Sequence, residues 1–216
     1  MIDRELIHAG AELGRGNFGV VRVATLRTTA VAIKVMFKDA QNDNSELFEQ
    51  EILIMARLHH PNVVQFLGFA RLPELTLVIE LFPNGSCEDL IRKNKPTGRR
   101  LGDVICLCDQ MGQAVEYIHA HFIIHRDLKP ANFLLTASMC VKLGDFGVAR
   151  MHDSGTGSSP RSPVAVSETQ PSRRSSLSME QTSNVGTVRY AAPEVFSCGG
   201  CPARYEVHIR ILLVKD

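Results

Sequence analysis

The segment from His125 to Asn132 holds the densest group of reactive side chains in the sequence. It reads His-Arg-Asp-Leu-Lys-Pro-Ala-Asn, so an imidazole, a guanidinium, a carboxylate, an ammonium and a carboxamide fall within eight residues. These groups can exchange protons and bind charged partners. An ordinary connecting loop seldom carries so many of them. Asp145-Phe146-Gly147 follows thirteen residues after Asn132 and adds a second carboxylate.

Three glycines, Gly14, Gly16 and Gly19, form a GxGxxGxV pattern that ends at Val21. The pattern follows one predicted strand and leads into another, whereas a dinucleotide fingerprint must open a helix. A glycine loop between two strands favours a flap over phosphates, because backbone N–H groups can approach an anion where a Cβ would collide. The alternative is a hairpin turn in which the glycines are purely structural.

Lys34 is the only charged residue between Thr28 and Lys38, in a stretch typical of a buried strand. An isolated buried ammonium is costly, so Lys34 requires an anionic partner. Glu51 is the candidate, because its spacing places it on the inward face of the next predicted helix. Glu49 lies about 200° round that helix from Glu51 and is expected to face water. An ordinary structural ion pair would explain Lys34 and Glu51 equally well.

The elements that must position these groups divide into two lobes. Leu6 to Val35 is β-rich with two breaks and predicts three antiparallel strands. Ser45 to Leu58 has the apolar recurrence of a helix, and Val63 to Phe69 and Leu75 to Leu81 fit two further strands of the same sheet. Five strands and one helix therefore make up a first lobe that ends, with its linker, at residue 82.

The second lobe, residues 83–194, is predicted to be mainly helical. A short helix is expected near Cys87 to Lys93, and a central helix over Asp103 to His121, with Asp103 as a candidate cap. Phe133 to Leu135 and Val141 to Leu143 are brief strand candidates. The central helix carries a long apolar stripe that needs covering by other elements.

Two segments of the second half differ in composition from the rest. Residues 154–183 are dominated by Ser, Thr, Pro, Gly and Arg, which predicts a disordered insert. Residues 195–216 form a divergent tail with an apolar, strand-like run, Ile209 to Val214, that is assigned to neither lobe.

Charge and hydropathy narrow the classes of partner. Lys and Arg number 24 against 23 Asp and Glu, so no summed field draws the chain to nucleic acid or anionic lipid. The longest apolar stretch, Leu75 to Phe82, is too short to span a bilayer. The first residues show no apolar core of a signal peptide. We therefore expect no nucleic-acid or membrane partner and a cytoplasmic or nuclear location.

The six cysteines favour reduced thiols over a disulfide framework. Cys198 and Cys201 have the spacing of half a zinc site, and Cys106 with Cys108 is a conceivable second half. Residues two apart on a helix point to nearly opposite sides, which argues against a shared set of ligands.

These motifs, together with Gly186 to Glu194, resemble the catalytic domain of a eukaryotic protein kinase of the serine/threonine type in order and spacing. The resemblance covers Leu13 to Glu194. It implies an α+β, bilobal fold with a five-stranded antiparallel N-lobe carrying one helix and a mainly helical C-lobe. Lys129 and Thr187 favour serine/threonine specificity, and stretches such as 60–68 are similar to the tyrosine-kinase-like branch.

The resemblance implies transfer of the γ-phosphoryl group of Mg-ATP to a hydroxyl of a protein substrate. Lys34, paired with Glu51, would hold the α- and β-phosphates. Asp145 and Asn132 would bind Mg²⁺. Asp127 would orient the substrate hydroxyl and take its proton, and Lys129 would reach the transferring phosphoryl group.

The resemblance also implies a nucleotide pocket and an internal stack of side chains. Phe146 would stack with two other buried residues, Met55 and His125, and Ile79 would close the rear of the adenine slot. The ATP-binding residues implied are Leu13, Gly14, Gly16, Gly19, Val21, Ala32, Lys34, Glu80, Phe82 and Leu134.

Arg126, before the catalytic aspartate, implies control by phosphorylation of the segment from Asp145 to Glu194, because a guanidinium there needs an anion. The candidate acceptors for an upstream kinase are Ser176, Thr182 and Ser183. After Glu194 the sequence departs from the family pattern, and we expect a C-lobe that is truncated there. Two alternatives to an enzyme follow: an inactive fragment that binds ATP or other kinases as a regulator, and an interaction module that uses the Ser-rich insert.

Overall fold

The structure is a computed structural model that describes residues 1–16, 19–37, 45–71, 74–93, 101–151 and 187–190. Several predictions fall outside these residues. They concern the insert at 154–183, the tail at 195–216, the cysteine pair at 198 and 201, and the phosphorylation candidates Ser176, Thr182 and Ser183.

The first lobe is built on a five-stranded antiparallel sheet, as predicted. Its strands are β1 (Ile7–Arg15), β2 (Gly19–Leu26), β3 (Thr29–Met36), β4 (Phe66–Ala70) and β5 (Thr76–Glu80), in the order β1-β2-β3-β5-β4. All neighbouring strands pair antiparallel. The sheet therefore places the glycine pattern, between β1 and β2, next to the strand that carries the predicted lysine.

Strand β4 begins later than the sequence indicated. Val64 donates its backbone N–H to the carbonyl of Leu143, and Leu143 donates its own to the carbonyl of Asn62. The residues expected to open β4 are thus bonded to the second lobe, because each backbone group can satisfy only one ladder at a time. This crossing ties the two lobes together close to the site.

The one helix of the first lobe, α1 (Ser45–Met55), packs Phe48, Ile54 and Met55 into the core. The predicted end at Leu58 was wrong by three residues. The N–H groups of Arg57 and Leu58 bond to carbonyls three residues earlier, so the chain tightens into a turn after Met55.

The described part of the second lobe contains two helices and two small pairs of strands. The helices are α2 (Cys87–Lys93) and α3 (Leu101–Ala120). Strands β7 (Phe133–Leu135) and β8 (Val141–Leu143) form a hairpin, and β6 (Ile123–Ile124) pairs antiparallel with the sequence-distant β9 (Arg150–Met151). The expected cap at Asp103 was wrong. Helix α3 already begins at Leu101, so Asp103 lies in its first turn, where a carboxylate complements the helix dipole.

Helix α3 is amphipathic along most of its length. Leu107, Met111, Ala114, Val115 and Ile118 are buried. Leu101 and Ile105 lie on another face with 74% and 59% of their surface exposed, so the predicted apolar stripe is covered only in part. Among the described helices, none combines the length and the apolar character needed to cross a membrane.

The main core lies between α3 and the β7–β8 hairpin. Phe133 and Leu143 pair across the hairpin, and both are fully buried. Asn132 directly precedes β7, and Asp145 follows β8 by two residues. A rigid, buried hairpin therefore holds the two predicted metal ligands at its open end.

Candidate active site

Lys34 on β3 and Glu51 on α1 form the predicted ion pair. The Nζ atom of Lys34 lies 2.8 Å from Oε1 and 3.0 Å from Oε2 of Glu51, and 2.9 Å from Oδ1 of Asp145. Glu51 is only 2% exposed, and Glu49 is exposed as expected. One ammonium thus joins the sheet, the helix and the second lobe.

Charge and burial act against each other in this cluster. Burial lowers the pKa of Lys34, but the carboxylates of Glu51 and Asp145 outweigh it, so the pKa is raised and the ammonium stays charged. Burial raises the pKa of Glu51, and the ammonium offsets part of that rise. For Asp145, burial favours the neutral acid, yet Lys34 outweighs it and lowers the pKa. The cluster thus places an ammonium that can bind an anion next to a carboxylate that can bind a cation.

Asp127 lies in a second cluster, with Lys129 and Thr187. The Nζ atom of Lys129 lies 2.6 Å from Oδ2 of Asp127 and 2.9 Å from the Thr187 hydroxyl. The backbone N–H and the hydroxyl of Thr187 both donate to Oδ1 of Asp127 at 2.9 Å. Burial alone would raise the pKa of Asp127, but these donors lower it. Asp127 is therefore an ionised carboxylate at neutral pH.

The backbone on either side of the site is strained. Arg126 and Asp145 have positive φ angles of 65° and 60°, a conformation that is uncommon for residues other than glycine. Arg126 donates its Nε–H to the carbonyl of Val148 at 2.6 Å. Strain of this kind persists where the surrounding contacts dictate it, commonly at functional sites.

His125 joins the segment from His125 to Asn132 to the core of the second lobe. It is fully buried, its Nε2 lies 2.9 Å from the carbonyl oxygen of Gly144, and its ring meets that of Phe146 edge-on at 5.0 Å. Met55 belongs to the same buried cluster. Burial lowers the pKa of His125, so the ring is neutral. The three residues of the predicted internal stack thus lie in one core.

The predicted adenine slot follows from the register of the sheet. Val21 pairs with Lys34, and Ala32 pairs with Ile79, so these four side chains project from the same face. Leu13 lies at a register shift of β1 and is 54% exposed. From the second lobe, Leu134 forms a bridge with Ser86 just beyond the linker that contains Glu80 and Phe82. Their roles in binding a nucleotide stay predictions.

The three glycines of the pattern differ in how closely other atoms pack against them. A Cβ on Gly19 would lie 2.3 Å from the carbonyl oxygen of Val35, so the close packing of β2 and β3 requires glycine there. A Cβ on Gly14 or Gly16 would meet nothing within 4 Å. Packing therefore explains Gly19, while the roles of Gly14 and Gly16 in binding phosphate stay predictions.

Asn132 and Asp145 offer side-chain oxygens of the kind that Mg²⁺ accepts as ligands. The Asn132 amide nitrogen donates to the backbone oxygen of Asp127 at 2.7 Å, which leaves its carbonyl oxygen as the coordinating atom. The backbone N–H of Gly144 donates to the backbone carbonyl of Asn132 at 2.9 Å. This bond holds the segment that contains Asn132 against the segment that leads to Asp145. Mg²⁺ accepts oxygen ligands from one or two protein groups and takes the rest from phosphates and water. The residues present fit that requirement.

The zinc hypothesis depends on Cys198 and Cys201, which lie outside the described residues. Cys106 and Cys108 are exposed free thiols. The described residues contain no group of three His, Cys, Asp or Glu side chains placed to hold a metal ion.

Sequence reasoning missed Lys142 and Asn62. Lys142 on β8 lies 2.7 Å from Glu80, and the buried amide of Asn62 donates to the carbonyl of Val141 at 2.9 Å. The signal for Lys142 was present in the sequence: it is a single charge between two apolar residues of a buried strand, which is the pattern that singled out Lys34. Asn62 had no comparable signal, because its partner is a backbone atom 79 residues away.

Comparison with known proteins agrees with this geometry. The family model of the protein kinase domain matches residues 7–209. A probable L-type lectin-domain containing receptor kinase II.1 of Arabidopsis thaliana is 35% identical over 193 residues, which cover 87% of this chain and 25% of the relative. The serine/threonine-protein kinase STY46 of the same plant is 34% identical, over 86% of this chain and 28% of its own length.

The chain therefore belongs to the protein kinase domain family, and serine/threonine-protein kinases are among its relatives. The match extends beyond Glu194, where the sequence motifs end, to residue 209. The chain spans about a quarter of the length of the curated relatives named above.

Proposed function

We propose that this domain transfers the γ-phosphoryl group of Mg-ATP to serine or threonine hydroxyls of protein substrates, as part of intracellular signalling in the cytoplasm or nucleus. The observation that carries the proposal is the cluster of Asp127, Lys129 and Thr187. It combines an ionised carboxylate with an ammonium group 2.6 Å away. That pair suits a reaction in which a hydroxyl loses a proton beside a phosphoryl group that carries negative charge.

Each residue has a distinct task in this reaction. Asp127 orients the substrate hydroxyl and accepts its proton at a carboxylate oxygen, while Lys129 stabilises charge on the transferring group. Lys34 turns from Asp145 to the α- and β-phosphates and is held in place by Glu51. When bound, Mg²⁺ neutralises phosphate charge, and Asp145 and Asn132 are the residues that would hold it.

Positioning supplies much of the catalysis in such a mechanism, because the phosphoryl transition state is loose and requires little covalent help. The strained backbone at Arg126 and Asp145 and the neutral, buried ring of His125 fix the two carboxylates relative to each other. The backbone that carries the two carboxylates is thus in place before a nucleotide binds, and the Lys34 side chain is the part that must change its contacts.

Phosphoamino-acid analysis tests the proposal. The chain is incubated with ATP labelled at the γ-phosphate, MgCl₂ and a peptide mixture containing serine, threonine and tyrosine acceptors. We expect label on serine and threonine. Label on tyrosine alone would contradict the proposed specificity, and bound nucleotide with no transferred label would favour the inactive regulator.

A further inference from the structure

Lys142 and Glu80 form a second ion pair between the lobes. The Nζ atom of Lys142 on β8 lies 2.7 Å from Oε1 of Glu80 at the end of β5. Their side chains are only 17% and 25% exposed, so the pair is partly shielded from solvent. The same Oε1 atom accepts the backbone N–H of Gln65 at 2.8 Å. One carboxylate therefore joins the start of β4, the end of β5 and the strand that leads to Asp145.

The two ion pairs between the lobes are matched in spacing. Glu80 pairs in the sheet with Val31, which is three residues before Lys34 on β3. Lys142 likewise precedes Asp145 by three residues. In extended chain, three residues span about 10 Å. The segment from Lys142 to Asp145 is thus fixed to the sheet at both ends, by pairs of opposite polarity.

Only one of these pairs can persist during the proposed reaction. Lys34 is assigned to the phosphates and Asp145 to Mg²⁺, so their contact at 2.9 Å must be given up when Mg-ATP binds. Lys142 has no assigned contact with the nucleotide, and Glu80 is expected to meet the adenine through the backbone of the linker, so both side chains can keep their contact. Among the ion pairs of the described residues, Lys142–Glu80 is then the one that still joins the sheet to the second lobe.

The β7–β8 hairpin transmits this constraint to the site. Lys142 pairs across the hairpin with Leu134, one of the residues predicted to line the adenine slot. The same hairpin has Asn132 at one end and leads to Asp145 at the other. A shift of the hairpin relative to Glu80 would change the distance between its metal-binding end and the sheet and linker that line most of the slot.

We propose that Lys142 is a positioning residue for Mg-ATP, which acts through Glu80 to hold the metal-binding end of the hairpin at a fixed distance from the adenine slot. The inference rests on the proposed function. If the inference is correct, loss of the Lys142–Glu80 ion pair weakens binding most for a ligand that occupies both the adenine slot and the metal site. Such a ligand depends on the distance between the slot and the metal site.

Calorimetric binding of two ligands tests this requirement. Mg-ATP spans the slot and the metal site, whereas adenosine occupies the slot alone. We expect Lys142→Met to weaken binding of Mg-ATP about tenfold and that of adenosine less than about twofold. Lys142→Arg keeps the charge and should restore Mg-ATP affinity to within about threefold of the wild type.

Glu80→Gln supplies the second arm, because its amide oxygen can still accept the Gln65 N–H while the charge is lost. We expect it to weaken Mg-ATP binding as Lys142→Met does, and the double variant to be no weaker than either single variant. The matched control is Arg92→Met, which removes an exposed ion pair with Glu88 on α2 and should change neither affinity. The midpoint of thermal unfolding shows whether each variant is folded. If Lys142→Met does not fold, the binding data for Glu80→Gln are used to test the inference.

The outcomes separate this inference from the proposed function. If the wild-type chain binds no Mg-ATP, the proposed function fails and the inference fails with it. If the wild type binds Mg-ATP but the variants bind it equally well, or lose affinity for adenosine to the same extent, only the positioning role of Lys142 is overturned. Additive losses in the double variant would also overturn it, because the two residues would then act separately.

Discussion

Thr187 donates both its backbone N–H and its hydroxyl to the same oxygen of Asp127, at 2.9 Å each, across 60 residues of sequence. Lys129 contacts both residues. The carboxylate proposed to take a proton is thus positioned by the far end of the segment that begins at Asp145. The orientation of Asp127 depends on how that segment returns to the second lobe.

We expect Thr187→Val to slow phosphoryl transfer roughly tenfold to a hundredfold, since a hydrogen bond to a charged group contributes about 1.5–3 kcal/mol. The affinity for Mg-ATP should change little, because within the described residues the side-chain contacts of Thr187 are with Asp127 and Lys129 and not with the residues assigned to the adenine, the α- and β-phosphates or the metal. Thr187→Ser keeps the hydroxyl and is the control. Transfer rates that are the same in the wild type and in both variants would refute the role of this hydroxyl.

Removal of the charge on Glu51 should reduce stability and Mg-ATP binding much more than removal of the charge on Glu49. Glu51→Gln leaves a buried ammonium without its principal partner, so we expect it to lower the free energy of unfolding by about 3 kcal/mol and to weaken Mg-ATP binding. Glu49→Gln breaks only an exposed pair with Arg71 and should cost less than about 1 kcal/mol. Urea unfolding with calorimetric binding of Mg-ATP measures both effects. Equal losses in the two variants would show that burial of Glu51 is irrelevant.

The three glycines of the loop should respond differently to alanine. Gly19→Ala places a methyl group against the carbonyl of Val35 and should cost about 1–3 kcal/mol of stability. Gly14→Ala and Gly16→Ala meet no neighbouring atom, so their stability should change little while Mg-ATP affinity falls. Thermal unfolding and nucleotide binding of the three variants provide the comparison. Unchanged nucleotide affinity in Gly14→Ala and Gly16→Ala would remove the support for a phosphate flap.

Stability should fall as the pH drops below about 6.5, the ordinary pKa of histidine. Burial lowers the pKa of His125 in the folded chain, so below that pH the unfolded chain binds a proton that the folded chain does not. The loss reaches up to about 1.4 kcal/mol per pH unit until the folded pKa is passed. His60 and His119 have lowered pKa values through burial as well and act in the same direction.

Urea unfolding between pH 5 and 8 measures this slope. Asp127 and Asp145 do not affect the slope in this pH range. Their pKa values are lowered in the folded chain, so their contribution to the free energy of unfolding is lost only in more acidic solution. His125→Phe should flatten the slope. A slope that is unchanged in this variant would place the titrating group elsewhere.

The sequence predicted most of the fold because the informative patterns were local. Strand alternation, glycine spacing and a helical recurrence gave five strands and α1, and the lone charge of Lys34 on a buried strand indicated its pairing with Glu51. The inward position of Glu51 and the outward position of Glu49 both followed from helix periodicity. The roles assigned to Asp127 and Asp145 required the family resemblance, because spacing alone cannot show that two segments meet.

What the sequence did not predict depends on contacts between distant segments. The late start of β4 results from backbone bonds between Val64 and Leu143, which no local pattern encodes. Helix α1 ends early because its last turn tightens. Helix α3 begins at Leu101, before Asp103, without a visible signal in the sequence. Lys142 is the instructive omission, since the argument that led from Lys34 to Glu51 applies to it unchanged.

Transfer of the labelled γ-phosphate under single-turnover conditions, with nucleotide binding measured in parallel, tests the central claim most directly. The wild-type chain, in excess over Mg-ATP, should transfer label to a serine-containing protein acceptor. Asp127→Asn should bind Mg-ATP with similar affinity while the transfer rate falls by at least about a hundredfold. Equal rates in both proteins, or nucleotide binding with no transfer by the wild type, would contradict the assignment of Asp127 and of this chain as a working kinase.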